Sequence, residues 1–226
     1  MLLGTIVNAG AIFAGGLIGT IGKKALKDST AHTILQGIGL VVFLIGIQMA
    51  ITGERILVVL ITIVLGGLIG ETIGIHAAME GLGRKLERRF SGHSLAAGFV
   101  TASILFCVGS MSILGPIQSG VEGVHTILFL KSSIDFVVAL ILATTLGIGV
   151  VLSGVSVFVF QGIMTLLASF IEPIITDAMM VDINAVGGLL ILTIAINLFI
   201  PDKIRTANFL PAILLVMVYH LIRTMV

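Results

Sequence analysis

Charged residues are scarce in this sequence. Lysine, arginine, aspartate and glutamate make up 10% of its 226 residues, against 58% hydrophobic residues. Soluble domains usually carry about 25% charged residues. No polar stretch is long enough to form a soluble domain, and the net charge of +1 argues against a nucleic-acid partner. Since long apolar runs recur along the chain, we predict a polytopic integral membrane protein whose main surroundings are the lipid bilayer.

Aromatic residues and cysteine are also rare. There is no tryptophan and one tyrosine, so the aromatic belt common at membrane surfaces is nearly absent. The single cysteine, Cys107, excludes an intramolecular disulfide and is interpreted as a packing residue. The HExxH, CxxC and Walker motifs are missing and the five histidines are scattered. We therefore predict no metal, no cofactor and no enzymatic activity.

The predicted fold is an all-α transmembrane bundle that forms one integral membrane domain over residues 1–226. A spanning helix needs about 20 apolar residues. The N-terminus lacks a positive region before its apolar run, so it is interpreted as a first membrane helix and not a cleaved signal peptide. Eight spans are predicted, at about 2–22, 34–52, 56–75, 95–114, 134–152, 155–172, 184–200 and 208–224.

The basic residues predict the orientation. Loops that follow spans one, three and seven contain nine of the twelve lysines and arginines, while Arg55, Lys131 and Arg223 fall on the other side. Basic loops stay in the cytoplasm, so both termini are predicted outside, as is the acidic loop with Glu172, Asp177 and Asp182. The nine are Lys23, Lys24, Lys27, Arg84, Lys85, Arg88, Arg89, Lys203 and Arg205.

Segment 76–93 differs from the spans. Met79, Leu82, Leu86 and Phe90 recur at helical spacing with basic residues between them. This pattern is typical of an amphipathic helix on the cytoplasmic lipid surface. A solvated connecting helix is the alternative.

The motif GGLIG occurs in spans one and three, with Gly15 and Gly19 in one copy and Gly66 and Gly70 in the other. Glycines four residues apart leave a gap on one helix face, where another helix can approach closely. Helix packing is the favoured interpretation, and a substrate path lined by backbone is the alternative. The same faces could also join two chains in a homodimer.

Two segments match each other. GLVVFLIGIQM from Gly39 aligns with GLLILTIAINL from Gly188, and Gln48 falls on Asn197. Span two would then correspond to span seven. Equivalent spans are five positions apart in the order of spans. Because five is odd, spans 1–3 and 6–8 would run in opposite directions and form an inverted repeat, as in many secondary transporters.

Several polar side chains fall within the predicted spans. Glu71 lies near the end of span three and Asp135 near the start of span five, where each acid either reaches the headgroups or faces a cavity. Lys131 precedes Asp135 by four residues and could pair with it. Amides should point into the bundle, either bonding between helices or contacting a ligand. The four amides are Asn8, Gln48, Gln161 and Asn197.

The segment CVGSMSILGPIQSG, residues 107–120, combines an apolar run with polar groups. Pro116 removes a backbone donor and disfavours a helix before it, so we expect a helix end or break at Gly115 and Pro116. A simple helix end and a broken helix that lines a binding site are both consistent with this. The polar side chains that could bond the freed carbonyls or a ligand are Ser110, Ser112, Gln118 and Ser119.

Four segments in order carry a family resemblance: CVGSMSILGPIQSG, TTLGIGVVLSG followed by FQG, GGLLILTIAINL, and IRTANFLPA. Together they resemble the YqgA/YdfK-like family of bacterial inner-membrane proteins, a domain of unknown function. The resemblance covers almost the whole chain. It implies a multi-span protein of the bacterial cytoplasmic membrane and a possible transporter, and it brings no established substrate or site residues.

The predicted function is a secondary transporter or facilitator of an ion or small polar solute. The candidate ligands are the acids, amides and serines named above. The alternative is a non-transporting structural or regulatory membrane protein that acts through a partner, and an intramembrane enzyme is the least favoured reading.

Overall fold

The computed structural model describes residues 1–23, 28–78, 81, 95–200 and 203–225. These residues form helices joined by short turns, with no strand among them. The helices are α1 (Leu3–Lys23), α2 (Asp28–Ala50), α3 (Ile56–Ile73), α4 (Leu95–Cys107), α5 (Ser110–Val121), α6 (Thr126–Leu146), α7 (Ile148–Leu166), α8 (Ala168–Ile171), α9 (Asp177–Phe199) and α10 (Pro211–Met225), with 3-10 turns at Glu172–Ile174 and Thr206–Phe209.

The polytopic helical fold predicted from the sequence is confirmed. Seven helical segments are long and apolar enough to cross a membrane, and α4 and α5 make an eighth span when counted together. The seven are Leu3–Gly22, His32–Ala50, Ile56–Ile73, Thr126–Leu146, Ile148–Leu166, Asp177–Phe199 and Thr206–Arg223.

Contacts divide the chain into two compact units, and the single integral membrane domain over residues 1–226 stays a prediction. The first unit comprises Met1–Ile38 and Gly81–Pro173, and the second comprises Gly39–Glu80 and Ile174–Val226. The first unit therefore contains α1 and α4 to α8. The second contains α3, α9, α10 and most of α2.

In the first unit, α1 packs against both α6 and α7. It runs parallel to α6, since Gly4 faces Leu128 and Gly19 faces Leu140. It runs antiparallel to α7, where Thr5 bonds Thr165. Fully or nearly fully buried apolar side chains fill the space between these helices and α4: Ile12, Ala102, Phe106, Ala139, Leu142, Ala143, Val150 and Val157.

The predicted glycine faces contact helices of the same chain. A Cβ atom at Gly15 or Gly19 would collide with a backbone carbonyl oxygen of α6, that of Phe136 or Leu140. In the second unit, a Cβ atom at Gly66 would lie 2.5 Å from the backbone nitrogen of Ala212. At Gly70 it would collide with the backbone of Asn208. Because these faces are already covered, the homodimer predicted through them would need a different surface.

Helices α4 and α5 form one broken span. They bend by 59° at Val108 and Gly109. The start of α4 packs on Gly149 at the start of α7, and Gly120 in α5 packs on Thr165 near the end of α7. The pair therefore runs along the whole length of α7, which is the course of a spanning segment and not of a loop that returns to the same face.

The break lies about two turns before the predicted position. Gly109 has φ 122° and ψ 157°, a backbone conformation that is essentially restricted to glycine. Gly115 and Pro116, where the break was expected, lie inside α5. The missing donor of Pro116 is tolerated because neighbouring groups can satisfy a freed carbonyl within a packed bundle.

Three predicted spans were placed too far along the chain. Spans 134–152, 155–172 and 184–200 correspond to Thr126–Leu146, Ile148–Leu166 and Asp177–Phe199. Gly147, with φ 69°, makes the turn between α6 and α7 that the prediction placed several residues later. The prediction left Lys131 and Asp182 outside the spans and put Asp135 at the start of one, whereas the structure places all three inside helices.

In the second unit the helices pair antiparallel. Gly46 of α2 faces Gly188 and Leu192 of α9, and Gly53 faces Ala185. Helix α3 pairs with α10 in the same sense, through Gly66 and Gly70. The predicted amphipathic helix over 76–93, with Met79, Leu82, Leu86 and Phe90, falls mostly outside the described residues, and these four side chains lie outside them.

Candidate functional site

The first unit buries an ion pair in the middle of a spanning helix. The Lys131 ammonium lies 3.0 Å from Asp135 Oδ1 and 2.9 Å from Asp135 Oδ2. The two side chains are 8% and 5% exposed. Asp135 is near the centre of Thr126–Leu146, and not near a membrane surface as predicted. The predicted pairing with Lys131 is present, and the charges offset each other where neither can reach water.

Two amides from neighbouring helices extend this pair. Asn8 of α1 donates from Nδ2 to Oε1 of Gln161 in α7, at 3.3 Å. Both side chains are completely buried. The Asn8 side chain is also close enough to the Asp135 carboxylate to stabilise its charge. Lys131, Asp135, Asn8 and Gln161 therefore form one continuous set across three helices, which we call the polar network.

The polar network keeps unused bonding capacity. Within the described part of the chain, Asn8 Oδ1 and Gln161 Nε2 have no hydrogen-bond partner, and Asp135 Oδ2 has the ammonium of Lys131 as an ionic neighbour without a well-aligned hydrogen bond. A single bond between two amides always leaves one acceptor oxygen and one donor nitrogen over. Buried polar groups without partners are costly and uncommon in proteins. A ligand or a water molecule at the network would satisfy them.

The helix break lies near the polar network. Cys107, the last residue of α4, packs on the core cluster that contains Ala139 of α6, which lies one helical turn after Asp135. Ser112 Oγ donates to the carbonyl oxygen of Phe106 at 2.7 Å, across the break. The expectation that a serine would bond a freed carbonyl is met by Ser112.

The other polar residues of segment 107–120 contact the chain elsewhere. Ser119 Oγ donates to the carbonyl oxygen of Met1 at 2.6 Å and lies 2.8 Å from His125 Nδ1. Gln118 is half-buried and donates to Glu122 at 3.2 Å, while its buried Oε1 has no hydrogen-bond partner among the described residues. Ser110 is the first residue of α5, and its side chain lies outside the described part of the structure.

Glu71 belongs to a cluster in the second unit. Arg205 Nη1 lies 2.6 Å from Glu71 Oε1, and both side chains are more than half exposed. Asn208 donates to the other carboxylate oxygen and accepts from the backbone N–H of His76 at 2.8 Å. This exposed pair is typical of an acid that reaches a membrane surface.

Two of the four amides lie outside the core, against expectation. Gln48 is in the last turn of α2 and is exposed. Asn197 is in the last turn of α9, where it bonds the backbone oxygen and nitrogen of Ile204 at 2.7 and 2.9 Å. It therefore anchors the turn before α10. The predicted spans 34–52 and 184–200 contain both amides, but each lies within a few residues of the end of its span, where the helix also ends.

The structure contains a second buried ionic cluster that was not predicted from the sequence. Arg55 Nε and His220 Nε2 each lie 2.9 Å from Asp182 Oδ2, in the second unit. Asp182 is completely buried, although the sequence predicted it in an outer loop. Arg55 also bonds the carbonyl oxygen of Ala178.

A local signal marks the true start of that helix. Thr176 caps α9 by accepting from the backbone N–H of Met179, and Asp177 follows in the first turn. A threonine cap followed by an acid is a common helix start. Reading it would have placed Asp182 inside the helix.

Among the described residues, no group of three or more His, Cys, Asp or Glu side chains is arranged to hold a metal ion. The chemistry available in the polar network is that of one ammonium, one carboxylate and two amides. These groups can bind, exchange and hand over small ions or polar solutes.

Comparison with known proteins places this geometry in context. The pattern of a family described as "Protein of unknown function (DUF554)" matches residues 3–221. The "Uncharacterized membrane protein YdfK" of Bacillus subtilis (strain 168) is 34% identical over 219 residues, 95% of this chain and 93% of that protein. The "Uncharacterized protein YqgA" of Escherichia coli (strain K12) is 30% identical over 224 residues, 96% of this chain and 95% of that protein. No solved structure matches this chain.

Proposed function

This chain belongs to the DUF554 family, and from its polar network we propose that it is a small secondary transporter or facilitator. Its substrate is an ion or a small polar solute. The single observation that carries this proposal is the Lys131–Asp135 pair, buried at the middle of a spanning helix. Burying a charge pair at that depth is unfavourable, and neither membrane anchoring nor helix packing requires it. Such residues usually mark ion or substrate pathways.

The broken span supports the same function. Irregular backbone at membrane depth occurs where it is buried in protein or lines a cavity. Discontinuous helices form the binding sites of many transporters, because their freed backbone groups can bind ions and solutes. Here the break at Gly109 lies close to the Lys131 and Asp135 charges.

An inverted repeat would fit the helix pairs. Spans one and six, represented by α1 and α7, pack antiparallel in the first unit. Spans two and seven, and spans three and eight, pack antiparallel in the second unit. Each pair is separated by five positions in the order of spans, as the match between Gly39 and Gly188 requires for an inverted repeat.

The location and orientation follow the sequence arguments. We place the chain in the bacterial cytoplasmic membrane with both termini outside, on the strength of nine basic residues against two, because Lys131 lies within a span. One relative is described as a membrane protein. Enzymatic activity forms no part of the proposal, since the network offers no activated nucleophile. A homodimer is a separate prediction, and its interface would avoid the covered glycine faces.

Proteoliposomes test the proposal. Purified protein is reconstituted, and shrinkage and recovery after osmotic shock are followed by light scattering with NaCl, KCl, glycerol and urea as separate probes. We expect faster recovery than in empty liposomes for at least one probe, and loss of that gain in Asp135→Asn. Ser133→Ala, an exposed substitution on the same helix, serves as the control. Recovery equal to that of empty liposomes for all probes, together with no protein-dependent uptake of radioactive sodium, would refute transport.

Cysteine accessibility distinguishes transport from the alternative, a structural or regulatory function. In a Cys107→Ala background, single cysteines at positions 109–120 are treated with a membrane-impermeant maleimide. A pathway predicts labelling of positions near Gly109, deep in the span. A structural or regulatory protein without a pathway predicts complete protection there, with labelling confined to the exposed end near Gln118.

A further inference from the structure

The polar network is electrically balanced. It holds one positive and one negative side chain, both more than nine-tenths buried. Among the described residues, none of the helices packed on α6 adds a charged or histidine side chain to it. Helices α4, α5 and α7 contain none, and α1 has only Lys23 at its far end. Cys107 is the other titratable group that faces the pair, while His125 lies before the start of α6 and bonds Ser119.

This balance restricts what can bind. A second cation beside Asp135 would leave one positive charge uncompensated in a buried site, which is strongly unfavourable. The charge is conserved if Lys131 loses its proton when the cation arrives. The Lys131 ammonium therefore occupies the position beside the Asp135 carboxylate where a free cation would bind.

The oxygen atoms for a small cation are present. Asp135 Oδ2 lacks an aligned hydrogen bond, and Asn8 Oδ1 has no partner. The two side chains belong to the same buried network, in which Asn8 acts on the Asp135 carboxylate. Carboxylate and amide oxygens are the ligands that hard cations prefer. Gln161 Nε2, which is also without a partner, would hold the amide of Asn8 or a water molecule of the cation.

We propose that the polar network exchanges one monovalent metal cation for one proton, with the cation bound by Asp135 and Asn8 and the proton carried by Lys131. The exchange is balanced: a sodium ion displaces the Lys131 ammonium from the Asp135 carboxylate, the ammonium becomes a neutral amine, and its proton leaves to water. The total charge of the site is the same before and after. This proposal rests on the proposed transport function and names its substrate class.

The first test measures coupling. Proteoliposomes with a pH-sensitive dye inside receive an inward gradient of NaCl, LiCl or KCl, with choline chloride as the blank. We expect the lumen to become alkaline with at least one metal cation and not with choline. Clamping the membrane potential with potassium and valinomycin, during a sodium or lithium gradient, should leave the rate unchanged, because the exchange moves no net charge.

Two variants distinguish cation binding by Asp135 from proton release by Lys131. Asp135→Asn should lose both the pH response and uptake of radioactive sodium. Lys131→Met keeps the carboxylate but has no proton to release, so it should lose the pH response and retain sodium–sodium exchange. Ser133→Ala should keep both. If Lys131→Met keeps the pH response, Lys131 is not the proton carrier and the proposal fails.

A measurement on the unaltered protein covers variants that do not fold. Sodium affinity of the wild-type protein in detergent is measured by calorimetry across pH. Since one proton leaves for each cation bound, the apparent Kd should fall about tenfold for each pH unit of increase. A Kd independent of pH overturns the proposal. Solute flux that requires Asp135 but moves no protons would also overturn it, while leaving the transport function intact.

Discussion

Ser112 Oγ donates a hydrogen bond to the carbonyl oxygen of Phe106 at 2.7 Å. The two residues lie on opposite sides of the break between α4 and α5, and both are buried. In an unbroken helix this carbonyl would accept from the backbone N–H four residues later. The serine hydroxyl replaces that bond, so the bend at Gly109 leaves no unpaired acceptor at Phe106.

Removing this hydroxyl should destabilise the first unit. Ser112→Ala leaves the Phe106 carbonyl buried without a partner, and we expect a loss of about 1–3 kcal/mol in the free energy of unfolding. Thermal or denaturant unfolding followed by circular dichroism measures this. Ser133→Ala removes a comparable bond to Phe129 at an exposed position and should change little. Equal effects of the two substitutions would contradict a bridging role for Ser112.

The position of the bend can be tested with two substitutions. Gly109→Ala forces a non-glycine residue into φ 122°, which should cost about 1–3 kcal/mol. Pro116→Ala restores a backbone donor within α5 and should leave the bend in place. Spin labels at the exposed positions Ala97 and Val121, in a Cys107→Ala background, report the distance across the bend. A change of that distance in Pro116→Ala would show that the proline causes the bend.

Two glycines of α1 should differ in their tolerance of alanine. At Gly19 a Cβ atom would collide with the carbonyl oxygen of Leu140, so Gly19→Ala must push α1 away from α6. Overpacking of this kind costs about 1–3 kcal/mol or more. Gly22 has open space, so Gly22→Ala should be neutral or slightly stabilising. Melting temperatures of the two purified variants test the difference, and a Gly22→Ala loss as large as that of Gly19→Ala would contradict it.

The two ion pairs of the second unit should also differ. Asp182→Asn breaks a buried cluster with Arg55 and His220, for which we expect a loss of about 3–5 kcal/mol. Glu71→Gln removes a charge from an exposed pair with Arg205, where the loss should be about 0–1 kcal/mol. Unfolding in a graded mixture of mild detergent and dodecyl sulfate ranks them. A larger effect of Glu71→Gln would show that the exposed pair matters more than its exposure implies.

Much of the fold follows from apolar length alone. Spans predicted at 2–22, 56–75 and 208–224 agree within a few residues with Leu3–Lys23, Ile56–Ile73 and Pro211–Met225. These segments have few charges between their ends, so hydropathy marks their limits directly. Helix α2 is longer at its start than predicted, because Asp28 begins it before the apolar run.

The candidate site was only partly predictable. Asn8, Gln161, Asp135 and Ser112 were identified by type, because polar groups in apolar runs are costly. Their assembly was not, since Asn8 and Gln161 lie 153 residues apart and nothing local links them. Asp182 was missed because its compensating partners, Arg55 and His220, lie 127 and 38 residues away in sequence. In a hydropathy pattern, a charged residue indicates the end of a span unless a partner that compensates its charge is known.

The packing of α1 on distant helices has a consequence for the order of assembly. The N-terminal span leaves the ribosome first, yet its partner amide in α7 follows 153 residues later. At bacterial synthesis rates of about 5–20 residues per second, the delay is roughly 8–30 s. Asn8 therefore spends that time in the membrane or the insertion machinery without its final partner. Helix α1 is therefore synthesised before α7 but makes its final contacts only after α7 has been inserted.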